Sequence, residues 1–504
     1  MKNIIEYLEY TSSRIPDKVA FICEDDTITF KDLRNYAFEY GQHLSNLMGG
    51  RNNTPICILG GRSIDTIVSM FACVYSGNFY IVIDSSLPEM RINQMIDAVG
   101  ECGVIECGEN AISCENLIFC DQFIRRDVEN KCVLHQERNQ QWCNKISSFD
   151  PLYGIFTSGS TGVPKLVVKN HSAMINFLEE YVQLFKFVEN DIVGNQFPFY
   201  FDASTKDIYT CIKCGCTTHI IPKDYFSFPQ SLIPYLINTA ITRIVWVPSA
   251  LGLIANSKAF DTIGIPTELK MVLFVGEQMP IKHLNYWKNH LPNTDFVNLY
   301  GPTEVAGNAL YFRYETQLPD DSRLPAGKPF SNTKVMLFSQ DGTEIRDVGV
   351  KGEICITGNT LSLGYYRDKE RNQISFVQNP LVEYREIMYK TGDLAVYDDN
   401  YNVVWIARKD FQIKHMGYRI ELSDIEIAIG SINEIDECCC IYDEENKRIV
   451  LFYKATSDQK KNIGKHVREK LPKYMYPAKY IKINELPHNA NGKIDRLKLK
   501  NMIN

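Results

Sequence analysis

Short apolar runs of strand length, such as residues 56–59 and 80–83, alternate with segments whose apolar residues recur at helical spacing, as at Leu33, Ala37, Tyr40, Leu44 and Leu47. This alternation constrains the fold more than any other feature. A strand followed by a helix feeds into a neighbouring parallel strand, so α/β layers around largely parallel sheets are expected. The opening reads as a helix over 4–13, strands at 19–23 and 27–29, and a helix whose start carries Thr29 and Asp32 at capping-box spacing. From about 330 to 408 strands and turns dominate (334–338, 352–357, 403–406), and after about 410 the pattern becomes a small α+β unit. The expected division of the 504 residues is a large domain over 1–409 and a small one over 410–504.

Composition narrows the function classes. At 45% hydrophobic and 23% charged residues, a disordered or fibrous chain is excluded. No window approaches the ~20 apolar residues of a membrane span. The first 21 residues are interrupted by Glu6, Glu9, Arg14 and Asp17, unlike a signal peptide. A cytoplasmic protein with no membrane partner is expected. A net charge of -7 argues against a nucleic-acid partner. Residues 456–504 nevertheless carry 12 Lys or Arg against 4 Asp or Glu, a basic segment suited to a phosphorylated ligand, an acidic protein or plain solvation. The 16 cysteines read as reduced thiols. Cys211, Cys214 and Cys216 with His219 form one hook in an apolar run, and Cys438, Cys439 and Cys440 are consecutive, so their side chains diverge. Both clusters are expected to be structural rather than zinc-binding.

Three motifs carry chemistry. Thr157, Ser158, Gly159, Ser160, Thr161, Gly162, Val163, Pro164 and Lys165 follow a short strand at 153–156. Glycines let backbone approach an oxyanion, hydroxyls add donors, and Lys165 adds a positive charge, so the segment reads as a phosphate-cradling loop or a plain turn. It is not a Walker A loop: the spacing fails, and 166–168 reads as strand rather than helix. No G-x-S-x-G elbow is present, which argues against an α/β-hydrolase. Tyr300, Gly301, Pro302, Thr303 and Glu304 follow the apolar stretch 296–299. A ring to stack on a base, a hydroxyl to donate to phosphate and a carboxylate for Mg2+ suit a nucleotide. Asp393, in 389–393, can accept two ribose hydroxyls or simply shape its own turn.

With these three motifs in order, the chain resembles the adenylate-forming (ANL) superfamily, which includes acyl-CoA synthetases and luciferases. It is most similar to nonribosomal peptide synthetase adenylation domains and D-alanine–carrier protein ligases. The likeness runs end to end, through Phe201-Asp202-Ala203-Ser204, 352–356 with 364–366, 408–414 with 417–421, 471–477 and 491–496. It implies a large N-terminal domain of two βα-layered subdomains plus a β-rich one, with a small mobile α+β C-terminal domain. It implies ATP-dependent activation of a carboxylate as its adenylate, releasing pyrophosphate, then transfer to a thiol. Lys493 would reach the carboxylate and α-phosphate, Thr303 would donate to the α-phosphate, and Glu304 would carry Mg2+. The loop from Thr157 to Lys165 would hold the β- and γ-phosphates. Asp393, helped by Arg408, would accept the ribose hydroxyls, and Tyr300 would stack on adenine beside Gly276 and Glu277. Asp410 matches the hinge, and the loop around Gly417 would line the thiol tunnel. The chain departs from the family pattern at Ala407, where Gly is frequent, and at His415 and Met416, where Arg is frequent.

By family position the acid pocket comprises Phe201, Asp202, Ala203, Lys206, Trp246, Leu273, Val275, Leu299, Gly307 and Asn308. Asp202 implies an amino acid, because that position anchors the α-ammonium. Opposite charges at ~4 Å gain roughly 4 kcal/mol at an effective dielectric near 20, before desolvation. The other reading of Asp202 is a cap for the helix that follows. A buried Lys206 needs a partner, either a side-chain carboxylate of the substrate or Asp207. Lys493 lies 11 residues from the C-terminus, so a freestanding enzyme is expected. Its acceptor would be the phosphopantetheine thiol of a separate, acidic carrier protein. An acyl- or aryl-CoA ligase is the alternative enzyme, and a non-catalytic nucleotide-binding scaffold the alternative of another class.

Overall fold

The computed structural model describes residues 1–107, 117–123, 125, 146–157, 164–320, 322–409, 412–488 and 494–503. Contacts divide the chain into two compact units. The first holds residues 1–84, 101–155 and 167–409, and the second holds 85–100, 156–166 and 410–504.

A nine-stranded sheet is built around six parallel strands. In spatial order these are Asp295–Tyr300, Met271–Val275, Arg243–Trp246, Ile192–Asn195, Thr217–Ile220 and Val19–Cys23. Antiparallel strands Leu310–Arg313 and Asp26–Thr29 flank them. Each parallel pair needs a crossover, which the intervening helices supply. A seven-stranded sheet adds a second parallel stack: Leu117–Gln122, Cys102–Glu106, Pro55–Gly60, Phe79–Asp84 and Pro151–Thr157. Its strand Lys165–Asn170 covers 166–168, the stretch whose sequence reads as strand rather than helix. A six-stranded antiparallel sheet occupies 333–408, the region rich in strands and turns.

Local chemistry sets the element ends. Thr29 Oγ1 accepts the Asp32 N–H at 3.1 Å and opens the helix Phe30–Leu47. The Asp32 carboxylate accepts from the Thr29 hydroxyl at 2.7 Å instead of reaching back to backbone, because Asp is one methylene shorter than the usual Glu. In the second unit the hairpin Gln412–His415/Tyr418–Glu421 turns through Met416 and Gly417, both at positive φ. A three-stranded sheet follows, with strands Glu437–Asp443, Arg448–Lys454 and Lys479–Lys482. There Cys439 packs with Val450 and Phe452, and Cys440 with Ile420 and Leu451, the divergence expected of consecutive strand residues.

Arg243 fastens the nine-stranded sheet to the helix His171–Phe185. Its Nη1 and Nη2 donate to the carbonyls of Phe185 (2.8 Å) and Lys186 (2.7 Å), where the helix ends on a left-handed Lys186. Its Nε lies 2.6 Å from buried Asp191. Replacing Arg243 with Met leaves that buried carboxylate without its cation, with the Val188 N–H and the Thr242 hydroxyl as its donors, and takes a donor from each of two helix-end carbonyls. The expected loss of stability is ~3–5 kcal/mol, read as a lower urea midpoint at unchanged slope. An unchanged midpoint would show that the pair is dispensable.

Candidate active site

The carboxyl ends of the parallel strands converge on one edge of the nine-stranded sheet, where ligand crevices of open α/β sheets form. Val275 leads into Gly276, whose φ of 100° suits glycine, and into Glu277. Glu277 Oε2 accepts the Ser249 N–H (2.9 Å) in the first turn of the helix Pro248–Asn256. Next to it, Tyr300 ends its strand and begins a closed loop. The Ala309 N–H returns to the Tyr300 carbonyl at 2.8 Å. Gly301 is needed inside that loop, because a Cβ there would lie 2.8 Å from the Asn308 backbone. Thr303 lies half-buried in the loop, and Glu304 is fully buried, its Oε1 accepting from the Tyr365 phenol at 2.6 Å.

Asp393 sits in the strand Ile387–Tyr397, directly opposite Arg408 in the register. Its Oδ1 accepts from Arg408 Nη1 (3.0 Å) and Trp405 Nε1 (3.1 Å), and its Oδ2 from the Tyr300 phenol (2.5 Å). Burial, reinforced by Asp393, pushes the Tyr300 phenol well above its ordinary range, so it remains a donor. Tyr300 and Asp393 are thus hydrogen-bonded to each other, a link their separate motifs do not reveal.

The pocket residues divide. Register aligns Val245 with Leu273 and Val297, and Val275 with Leu299, so these share one face of the sheet. Trp246 pairs with Phe274 and takes the other face, where its Nε1 donates to the Gly194 carbonyl and its ring meets Phe226 edge-on. Trp246 therefore does not line the same wall as Leu273, Val275 and Leu299. Asn195 shares the Val245 face and donates to Asp207 at 2.8 Å, which ties the helix Ser204–Cys214 to it. Phe201 stacks on Phe197. Ala203 is the helix N-cap position, and Lys206 lies one turn further on. Gly307, at φ 65°, lies under the Phe177 ring, 2.3 Å from where a Cβ would stand. Asn308 is buried, and its Oδ1 accepts no hydrogen bond among the described residues.

Asp202 does not cap the helix. Its Oδ1 accepts from the Tyr153 phenol at 2.9 Å and from the Lys169 ammonium at 2.5 Å. Lys169 is fully buried and also donates to the Val305 carbonyl at 3.0 Å. Sequence reasoning passed over Lys169, Tyr153 and Tyr365. The one available signal for Lys169 is a charged residue continuing the apolar run Leu166, Val167, Val168. Lys206 is buried, and no carboxylate of the described residues lies within ion-pair distance of it. Burial holds its ammonium down to about 8, against the opposing charges of Asp202 and Asp207.

Thr157 ends one strand and Lys165 opens the next, both within the second unit, where Lys165 Nζ lies 3.1 Å from Glu421. Ser158, Gly159, Ser160, Thr161, Gly162, Asp410 and Lys493 lie outside the described residues.

Burial pushes the Asp207 carboxyl up to about 7, although the Asn195 hydrogen bond and the Lys206 charge pull the other way. Above the ordinary carboxylate value of 3.8, the unfolded chain has lost a proton that the folded protein keeps. Stability contributed by this group therefore falls as pH rises from near 4 to about 7. The variant Asp207→Asn lacks that titration. Its unfolding free energy relative to the parent should improve steadily across the same window in urea titrations, and a flat difference would refute the assignment.

The family model described as AMP-binding enzyme matches residues 8–366, and that of the AMP-binding enzyme C-terminal domain matches 424–493. The chain is 30% identical over 522 residues to a D-alanine--D-alanyl carrier protein ligase of Bacillus licheniformis, covering 99% of each. It is 29% identical over 506 residues to bacitracin synthase 3 of the same species, covering 98% of this chain but only 8% of that much longer one. Among solved structures, NpsA-ThdA of Klebsiella oxytoca, an artificially fused adenylation–PCP di-domain, shares the fold at a TM-score of 0.83 and 20% identity, with 96% of this chain and 94% of that one covered. With a match across most of its length, the chain belongs to the AMP-binding enzyme family.

Proposed function

We propose that this protein is an AMP-forming ligase that activates an amino acid with ATP and passes it to the phosphopantetheine thiol of a carrier protein. In the first half-reaction a substrate carboxylate oxygen attacks the α-phosphorus. The bond to the bridging oxygen breaks, and pyrophosphate leaves with the electron pair. In the second, the thiol gives up its proton and attacks the acyl carbon, and AMP leaves. The observation that carries the amino-acid reading is the Asp202 carboxylate. It is held at the start of the pocket helix by Tyr153 and Lys169, and its side chain keeps 13% exposure.

The nucleotide roles follow from the chemistry of each group. Asp393, fixed by Arg408, Trp405 and Tyr300, is a pre-oriented acceptor for ribose hydroxyls. Tyr300, Gly276 and Glu277 flank it at the strand ends as the adenine contact. Thr303 is the donor for the α-phosphate. Glu304 is a buried carboxylate of the hard-oxygen type that Mg2+ prefers, and its fixed Tyr365 bond suits that role. Bound there, Mg2+ would neutralise phosphate charge. Lys493 is assigned to the reacting carboxylate and α-phosphate, the 157–165 loop to the outer phosphates, and Asp410 to the hinge between a core of 1–409 and a swinging 410–504 segment. Family likeness rather than geometry supports those three assignments. Among the described residues no helix is long and apolar enough to cross a membrane.

Lys206 adds a finer reading. Being buried without an ion-paired carboxylate among the described residues, it favours a substrate with an acidic side chain. Pyrophosphate exchange into ATP, with Lys493→Ala as the blank, tests both levels. Glutamate or aspartate should drive exchange, and Lys206→Met should cut that signal at least ~10-fold relative to a neutral amino acid. If only neutral amino acids respond, the acidic reading falls and adenylation stands. If only aryl or fatty acids respond, the amino-acid reading falls as well.

The carrier is expected to be acidic, because the 456–504 segment carries a large Lys and Arg excess. Loading of a phosphopantetheinylated carrier should therefore slow several-fold between ~50 and ~500 mM salt, while exchange changes little. An equal response of both rates would count against electrostatic docking.

A further inference from the structure

The Asp202 carboxylate is not a bare anion. A lysine of the neighbouring strand, Lys169, meets it at 2.5 Å, and that lysine has no exposed side-chain surface. Lys169 makes two hydrogen bonds, one to Asp202 Oδ1 and one to the carbonyl of Val305, the residue after Glu304. The Tyr153 phenol bonds the same Oδ1, and the Tyr153 ring lies 5.5 Å from the Lys169 ammonium. Both donors thus converge on one carboxylate oxygen. No described residue hydrogen-bonds Oδ2, and the exposure that remains to the pair belongs entirely to Asp202.

We infer that Lys169 is a specificity-determining residue of the acid pocket: it fixes the Asp202 carboxylate with Oδ2 left for the substrate, and its charge weakens the demand for an amine. The inference rests on the proposed amino-acid activation and concerns the same site. An ammonium arriving at an isolated buried carboxylate would gain the full attraction. Arriving at a carboxylate already paired with an ammonium, it meets a repulsion of the same order at slightly greater distance. Lys206, whose charge also acts on Asp202, adds to that repulsion. Asp202 is left as an oriented hydrogen-bond acceptor more than as a charge receptor. Such a pocket ranks an amino acid above its desamino analogue by a modest factor, and admits carboxylic acids with a hydroxyl or no group at that carbon. A purely structural Lys169 would tie Asp202 and the 304–308 loop together without changing that ranking.

The test is the ratio of exchange efficiency, kcat/KM, for an amino acid over its desamino analogue, such as glutamate over glutarate. The wild type should show a ratio within about tenfold. Lys169→Met removes charge and donor, whereas Lys169→Gln keeps a donor and removes the charge. Both should raise the ratio by at least about tenfold, chiefly through KM for the desamino acid and the amino acid moving in opposite directions. Folding of each variant is checked by thermal melting. If Lys169→Met does not fold, Lys169→Gln decides. If neither folds, the wild-type ratio decides, and a discrimination of about a hundredfold or more overturns the inference. A folded variant with an unchanged or smaller ratio also overturns it and leaves amino-acid activation intact. Were the wild type to answer only to desamino acids, amino-acid activation would fall. Lys169 would then be judged by whether either variant gains an amino-acid signal.

Discussion

The contact on which the site depends is the bond between the Tyr300 phenol and Asp393. Tyr300 ends a strand of the nine-stranded sheet and Asp393 lies in the six-stranded one, so this bond registers two sheets that share no strand. It is also buried, where an unmatched carboxylate is costly, and Arg408 and Trp405 supply the remaining donors. A network satisfied on both oxygens is rigid, which suits the role of ribose acceptor proposed for Asp393.

The same economy appears in the loop that follows Tyr300. The Ala309 N–H returns to the Tyr300 carbonyl, the Ala306 N–H bonds the Thr360 carbonyl, and the Ser362 N–H bonds the Glu304 carbonyl. These backbone bonds, with the Lys169 ammonium on the Val305 carbonyl, hold the loop without using the Thr303 hydroxyl. Only glycine fits at 301, where the loop passes against itself, and at 307, where it passes under Phe177. Motif residues that look like a catalytic set in the sequence are therefore partly the conditions for closing a loop.

Much of the architecture was legible because hydrophobic periodicity reports directly on which face of an element is buried. The strand Val19–Cys23, the helix opened by Thr29 and the strand after the phosphate loop follow from it. Positions that depend on pairing register were not legible. Trp246 and Leu273 both lie in apolar strands, but only the alignment of Val245 with Leu273 reveals that Trp246 faces away from the shared wall. Lys169 was missed for a related reason. A lysine at the end of an apolar run reads as the point where a strand emerges into solvent. Here its position beside Asp202 and the Val305 carbonyl keeps it inside. Long-range partners, 33 and 136 residues away in sequence, give no local signal.

Charge balance ties these observations to selectivity. Around the pocket helix stand Asp202 and Asp207, Lys169 and Lys206, all with little or no exposure. With every group ionised the set is neutral. Burial favours the neutral forms of both Asp207 and Lys206, and the two shifts act on the net charge in opposite senses, so the set stays close to neutral. A site of that character is not a receptor for cations in general. It is complementary to a ligand that brings as much negative as positive charge beyond its reacting carboxylate. The proposed acidic amino acid would meet that condition, with its ammonium at Asp202 and its side-chain carboxylate at Lys206. A basic amino acid adds a second cation to a pocket that already holds two, and electrostatics alone places it last among the candidates.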